Sequence, residues 1–306
     1  MKALKFLLLW VVLSIVMLVT WSIGFVAGNA ITHTSPPAGG DPILAFFSFI
    51  GVCVFNSLLL SLFLWFTRMY SGISKTIWVV AYCFVIQFFL TQMETIFFGQ
   101  SISIENPQVV SILIAGFIMS SITVLTGVLT LNKMFSTSKQ SFGLAVNEWR
   151  PFVVPFLALI CIVYPFIYLT FGYYIAWQNE NLRVFYTKSA EMNSFFHQLA
   201  DSFASGIYFF QILRAAIWVI VTMPIIVMLR DWKAQYFLVG VLTSLLPASL
   251  LFIPNPYMPR DIAMTHFVET ASSNFIWGLA MTFAINKYLR VGQREEVHST
   301  LEKTTG

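Results

Sequence analysis

The hydrophobic residues of this chain lie in eight long runs that are separated by short polar segments. The runs cover about residues 6–28, 43–67, 76–98, 108–133, 152–177, 207–229, 233–253 and 262–288. Each run reaches the roughly 20 residues that an α-helix needs to cross the ~30 Å hydrocarbon core of a bilayer. The runs are too long and too uniformly apolar for the strands of a membrane β-barrel. The pattern therefore predicts an all-α, polytopic integral membrane protein with eight transmembrane helices.

Composition supports the membrane class. The 306 residues are 58% hydrophobic and 10% charged, with a mean hydropathy of +0.79, whereas soluble domains carry roughly 25% charged residues. The basic residues behind the net charge of +4 sit in short loops and indicate no nucleic-acid partner. The three cysteines, Cys53, Cys83 and Cys161, all fall inside apolar runs and support no disulfide framework. The expected surroundings are therefore the lipid bilayer.

The positively charged residues predict the orientation of the helices. With the N-terminus inside, thirteen Lys and Arg residues fall on the interior side, and only Arg183, Lys188 and Arg260 fall on the exterior side. Cytoplasmic loops carry the excess of Lys and Arg in membrane proteins. We therefore expect both termini to be cytoplasmic, in a plasma (inner) membrane. Residues 1–289 form the predicted transmembrane domain, and residues 290–306 form a cytoplasmic polar tail.

A weak internal match leaves open a duplication of the helices. The tripeptides at residues 131–133 (LNK) and 285–287 (INK) are offset by 154 residues, and the same offset aligns Trp78 with Trp232. Halves with an even number of helices would be parallel repeats, related by an axis along the membrane normal. The repeats would cover residues 1–136 and 147–289.

The longest predicted exterior loop, residues 178–206, contains a helix-like pattern. Five of its apolar residues recur at helical spacing between about residues 191 and 203: Met192, Phe195, Phe196, Leu199 and Phe203. Polar residues occupy the other faces, so the segment predicts a short amphipathic helix in the exterior loop. Two interpretations stay open for it: a helix lying on the lipid surface, and a lid that packs on the helix bundle.

Ionisable residues from three predicted helices fall at one depth near the outer surface. Counting 1.5 Å per residue from the cytoplasmic ends places Glu94, Arg214 and Glu269 about 22–27 Å up, with His266 at the interface. A carboxylate at the edge of hydrocarbon is costly and usually has a partner or a task. Uncharged amides from the same helices join this group. The candidate ligand-binding residues are Arg214, Glu94, Glu269, His266, Asn274, Gln92 and Gln211.

Two non-catalytic interpretations of this group stay open. In the structural one, Arg214 pairs with one carboxylate and the other is protonated or hydrogen-bonded. In the other, Arg214 holds the phosphate or carboxylate of an anionic or lipid-like small ligand, or the group contacts another membrane protein. Transport would need a polar path to the inner side, and that half offers little beyond Asn56. The favoured expectation is a binding, transport or accessory role at an outer-facing polar pocket.

The alternative is an intramembrane enzyme that acts on a lipid-like substrate. His266 and Glu269 share a helix face at i, i+3, and with Glu94 they supply an acid, a base or metal ligands. The candidate catalytic residues are thus His266, Glu269 and Glu94. The sequence has no HExxH, no paired Glu-x-x-His and no GxSxG motif, so no metal or cofactor is expected.

Overall fold

The computed structural model of this chain describes residues 2–35, 41–99, 104–135, 140–144 and 146–291. The structure is 83% helical and belongs to the all-α class. Its α-helices in these ranges are α1 Lys2–Thr32, α2 Pro42–Phe66, α3 Ile73–Phe84, α4 Leu90–Phe97, α5 Asn106–Met134, α6 Arg150–Ala158, α7 Tyr164–Tyr174, α8 Glu180–Thr187, α9 Phe195–Ala204, α10 Ile207–Met228, α11 Gln235–Ala248 and α12 Arg260–Tyr288.

Seven helical segments of the described residues are long and apolar enough to cross a membrane. They are Lys2–Thr32, Pro42–Phe66, Ile73–Phe97, Asn106–Met134, Arg150–Gln178, Ile207–Met228 and Gln235–Phe252. These seven helices support the predicted integral membrane class. The eighth predicted run lies in α12, which is 29 residues long. The first half of this helix carries His266, Glu269 and Asn274, and length and apolar composition together identify seven spans among the described residues.

Two of these spans are continuous through π-helical turns. The third span joins α3 to α4 through Val85–Phe89, and the fifth joins α6 to α7 through Leu159–Val163. In the fifth span Pro165 has no N–H to donate to the carbonyl of Cys161. The hydroxyl of Tyr208 on α10 donates to that carbonyl instead, at 2.6 Å. The proline thus leaves an acceptor that ties α10 to the fifth span.

Small residues set the closest helix packing. In α1, a Cβ atom added at Gly28 would lie 2.5 Å from the backbone oxygen of Ser111 in α5. In α12, a Cβ added at Gly278 would lie 2.9 Å from the Cα of Gly240 in α11. Membrane helices associate through such close contact because lipid gives no hydrophobic drive between them. These glycines therefore hold α1 along α5 and α12 along α11.

The packing of the two halves differs. The most extensive helix pair is α1 with α5 in the first half and α11 with α12 in the second. If the chain were a duplication, the pair of α1 and α5 would correspond to the pair of the fifth span and α12. The most extensive pair of the second half is instead α11 with α12. The predicted repeats at residues 1–136 and 147–289 therefore stay a prediction that rests on the sequence matches.

Two small sheets lie at the ends of the spans. Strand β1 (Tyr70–Ser71) pairs in parallel with β2 (Gln140–Ser141), and β3 (Val146–Glu148) pairs antiparallel with β4 (Arg290–Val291). The segment between α5 and α6 therefore joins the end of α2 to the end of α12. The predicted polar tail from residue 290 begins in β4, and residues 292–306 lie outside the described residues.

The loop after the fifth span contains two helices where one was predicted. The predicted amphipathic helix appears as α9, which begins at Phe195 after the N-cap Ser194. Its Phe195 packs on Tyr173 of the fifth span and its Phe203 stacks on Tyr208 of α10, with ring centroids 5.4 and 4.2 Å apart. The side chain of Phe196 is 77% exposed, so α9 packs on the bundle with one face and leaves another open. Helix α8 was not predicted, although Asn179 at its N-cap is a typical start signal.

Candidate functional site

An ion pair joins the third span to α10. The guanidinium Nη1 of Arg214 donates to Oε1 of Glu94 and, at 2.8 Å, to Oε1 of Gln211 one turn earlier on α10. The side chain of Arg214 is 8% exposed, whereas that of Glu94 is 31% exposed. The cation is therefore enclosed by the bundle, and the carboxylate reaches its surface.

A second hydrogen-bonded chain runs from α12 to α8, in the loop after the fifth span. Nδ1 of His266 lies 3.0 Å from Oε2 of Glu269, and Nε2 of His266 lies 3.1 Å from the hydroxyl oxygen of Tyr186 on α8. An ionised carboxylate only accepts hydrogen bonds, so Nδ1 carries the proton that binds Glu269. In the neutral imidazole Nε2 is then an acceptor, and Tyr186 donates to it.

These two groups form one electrostatic cluster. Glu94 interacts with Glu269 and His266 as well as with Arg214. Two further residues interact with the same charges, Tyr164 and Tyr168 of α7. The third span, the fifth span, α10 and α12 therefore all contribute to the cluster.

Helix α8 is held over the cluster by polar contacts with the first turns of α12. The amide of Asn179 donates to Thr265 and that of Asn181 to Asp261, both at 2.8 Å. Burial raises the pKa of Tyr186 above its ordinary value, and the nearby carboxylates raise that pKa further. The phenol is therefore a neutral donor at physiological pH, consistent with its bond to His266.

Three buried polar atoms around the ion pair have no hydrogen-bond partner among the described residues. They are Nε of Arg214, Nε2 of Gln211 and Oε1 of Gln92. A buried polar group without a partner costs about 1–3 kcal/mol. The first two are donors on one turn of α10. They leave a place for an acceptor oxygen that no described side chain supplies.

The structure brings most of the predicted site residues together. Hydrogen bonds link Arg214 with Glu94 and Gln211, and a separate one links His266 with Glu269. The two groups interact electrostatically. Gln92 lies buried on α4 in the turn that carries Glu94. Asn274 is buried on α12, and no hydrogen bond in the described part of the chain links it to the cluster.

Sequence reasoning missed the three tyrosines Tyr164, Tyr168 and Tyr186. The first two stand at i, i+4 around Pro165, a spacing that places them on one helix face. Tyr186 had no comparable signal, because α8 was not expected.

A second buried polar group lies near the middle of the bundle. The sequence indicated little beyond Asn56, but its amide donates to Oε1 of Gln87 at 3.0 Å and accepts from Ser249 at 2.8 Å. All three side chains are at most 2% exposed. Gln87 also donates to the carbonyl of Cys83. These groups satisfy one another, so they act as a cross-link between α2, the third span and the end of α11.

No protein-family model, curated protein or solved structure matches this chain. In the described ranges, no group of three or more His, Cys, Asp or Glu side chains is arranged to hold a metal ion.

Proposed function

We propose that this protein binds a small lipid-like ligand at the outer polar cluster, through an oxygen atom of the ligand's head group. The supporting observation is the pair of buried donors, Nε of Arg214 and Nε2 of Gln211, that have no acceptor among the described residues. A hydroxyl or carbonyl oxygen placed between them would accept from both. The side chain of Glu94 is 31% exposed, so a ligand would reach the ion pair past this residue.

The charge balance of the cluster favours an uncharged head group. Two carboxylates, Glu94 and Glu269, face one guanidinium and one imidazole, so the cluster has no excess of positive charge. A phosphate bound at Nε of Arg214 would bring a second anion beside Glu94, and one guanidinium would then face both negative charges. The anionic ligand expected from the sequence is therefore the less favoured form of this proposal.

The proposal includes an eighth membrane crossing by α12. A helix of this length extends about 44 Å, more than the ~30 Å hydrocarbon core. The helix packs along α11, which is itself apolar enough to span, and Glu269 and Asn274 point into the protein. With eight crossings both termini lie on one side. The excess of Lys and Arg supports the cytoplasm for that side, in the plasma membrane.

A second candidate function is an intramembrane enzyme that acts on a lipid-like substrate. The supporting observation is the chain from Glu269 through His266 to Tyr186. A carboxylate that orients an imidazole toward a hydroxyl is an arrangement used in general acid–base catalysis. In this function His266 and Glu269 would transfer a proton, and Glu94 would be the second acid.

The test measures lipid binding by the purified protein in detergent with native mass spectrometry. The probes are diacylglycerol, whose head is a hydroxyl, and phosphatidic acid with the same acyl chains. We expect tighter binding of diacylglycerol, and about tenfold weaker binding in Gln211→Leu, which corresponds to one lost hydrogen bond. The control is Leu213→Ala, because Leu213 is 54% exposed on the other side of α10.

Each result has a defined meaning. Unchanged diacylglycerol binding by Gln211→Leu contradicts the proposed contact. Tighter binding of phosphatidic acid, lost in Arg214→Gln, shows an anionic ligand instead. Conversion of a bound lipid that stops in His266→Ala and Glu269→Gln, with the fold retained, establishes the enzyme.

A further inference from the structure

A second charged group lies at the opposite end of the bundle from the outer cluster. The ammonium of Lys5 on α1 lies 4.8 Å from the ring centre of Phe135, and the guanidinium carbon of Arg68 lies 5.8 Å from the same ring centre. The guanidinium also lies 5.2 Å from the ring of Trp65. Two cations from different helices thus meet at one aromatic ring.

Both cations are held in place by the ends of helices. Lys5 donates to the carbonyl of Met134, the last residue of α5, at 2.7 Å. Arg68 donates to the carbonyl of Trp65 near the end of α2, at 2.8 Å. Each contact uses one donor of its side chain, and both side chains are half-buried. Their positions are therefore fixed, and their remaining donors are available.

The positive charge of this group is only partly compensated. A helix C-terminus contributes about half a negative charge, and these two helix ends face Lys5 and Arg68 together with Lys75, which donates to the carbonyl of Thr67 at the end of α2. No Asp or Glu of the described residues forms an ion pair with Lys5 or Arg68. Net positive charge is therefore left at this end of the bundle, which suits an anion.

The surroundings indicate that this anion belongs to a lipid. The rings of Phe6, Trp65 and Phe135 pack edge to face, with centroids 5.6 and 5.3 Å apart. Along α1, the side chains of Leu4 and Leu8 are 70% and 52% exposed. An aromatic cluster beside an exposed apolar helix face is typical of the membrane interface. A free inorganic ion would make no contact with that apolar surface, whereas the acyl chains of a lipid would.

We propose that Lys5 and Arg68 bind the phosphodiester of an anionic phospholipid, with Trp65 and Phe135 beside its glycerol region. Basic pockets between helices on the cytoplasmic side bind anionic lipid head groups in this way. The orientation inferred from the Lys and Arg residues places this group in the cytoplasmic leaflet. The site does not depend on the outer cluster or its ligand.

The experiment titrates the full-length protein in detergent with phosphatidylglycerol and with phosphatidylcholine of the same acyl chains, followed by native mass spectrometry. We expect phosphatidylglycerol to bind more tightly, because its head carries a net charge. Lys5→Gln and Arg68→Gln should each weaken that binding about fivefold, the effect of one basic residue near a lipid surface. Lys2→Gln is the matched control, since Lys2 is exposed on the same helix.

Thermal stability separates binding from folding. Phosphatidylglycerol should raise the unfolding temperature of the wild type more than phosphatidylcholine does, and this difference should shrink in Arg68→Gln and persist in Lys2→Gln. Equal binding of both lipids, or wild-type binding by Lys5→Gln and Arg68→Gln, overturns the proposal. Displacement of phosphatidylglycerol by inorganic phosphate at equal concentration also overturns it, because the site would then recognise a free ion.

Discussion

The ion pair between Arg214 and Glu94 can be tested by removing its cation. In Arg214→Leu the carboxylate of Glu94 loses its only ion-pair partner among the described residues, and Oε1 of Gln211 loses its donor. Leucine fills much of the space and leaves α10 apolar. The substitution therefore measures the cost of an unpaired carboxylate between α4 and α10.

The size of the effect follows from burial. Removing one partner of a buried ion pair costs about 3–5 kcal/mol. The side chain of Glu94 is 31% exposed, so water compensates part of that cost. We therefore expect a loss of about 3 kcal/mol, at the lower end of that range. At about 2 °C per kcal/mol for a chain of this size, the unfolding temperature should fall by about 6 °C.

The double variant Arg214→Leu/Glu94→Leu should recover most of this loss, since replacing both charges by apolar groups is close to neutral. The assay is thermal unfolding in detergent at a fixed heating rate, because unfolding of such proteins is often irreversible. Glu191→Leu combined with Arg214→Leu is the control, since Glu191 is an exposed acid outside the cluster. An unchanged unfolding temperature in Arg214→Leu, or a double variant no more stable than the single one, would refute the reasoning.

Two further predictions concern topology and packing. Reporter fusions after Lys139 and Lys287 should report the cytoplasm and one near Glu191 the exterior; a cytoplasmic signal near Glu191 would contradict the eight-span arrangement. Gly28→Ala should lower stability by about 1–3 kcal/mol, because its Cβ would overlap the backbone of α5. Gly51→Ala, where a Cβ meets nothing within 4 Å, should be neutral or slightly stabilising in the same unfolding assay, and equal losses would refute the packing argument.

Hydrophobic patterning predicted the fold class because lipid imposes one requirement on every spanning segment. Backbone groups in hydrocarbon must bond within the segment, so long apolar runs become helices. The same pattern predicted an eighth run in α12, but its buried polar residues Glu269, Ser273 and Asn274 keep this helix outside the seven that length and composition identify. There the packing of Gly278 against Gly240 places the helix, and no local composition encodes that contact.

The contacts of the loop after the fifth span could not be predicted from the sequence, for a different reason. Tyr186 reaches His266 only because Asn179 and Asn181 hold α8 on the start of α12. These are contacts over about 80 residues of chain between polar side chains. Hydrophobic periodicity carries no information about such pairs, so the tyrosine was missing from the predicted site.

The π-helical turns explain why the height of a residue along its helix could be estimated from the sequence while the helix face that it occupies could not. An extra residue in a helix changes the height of later residues by about 1.5 Å but rotates them by about 100°. In the fifth span, heptad steps from the buried Phe152 lead to Phe166, which is 61% exposed, whereas Ile167 is buried. The turn at Leu159–Val163 accounts for this shift.

The same rotation helps to place the cluster. After that turn Tyr164 packs on Trp277 of α12, with ring centroids 4.9 Å apart, and interacts with the charges of Glu94 and Arg214. Counting along the helices was sufficient to bring Glu94, Arg214 and Glu269 to one level, since a small error in height does not separate them. Assigning Tyr164 to that group also required the direction in which its side chain leaves the helix axis, and the π-helical turn determines that direction. For polar residues that follow such a turn, the helix face should therefore be counted from the turn and not from a heptad repeat that begins before it.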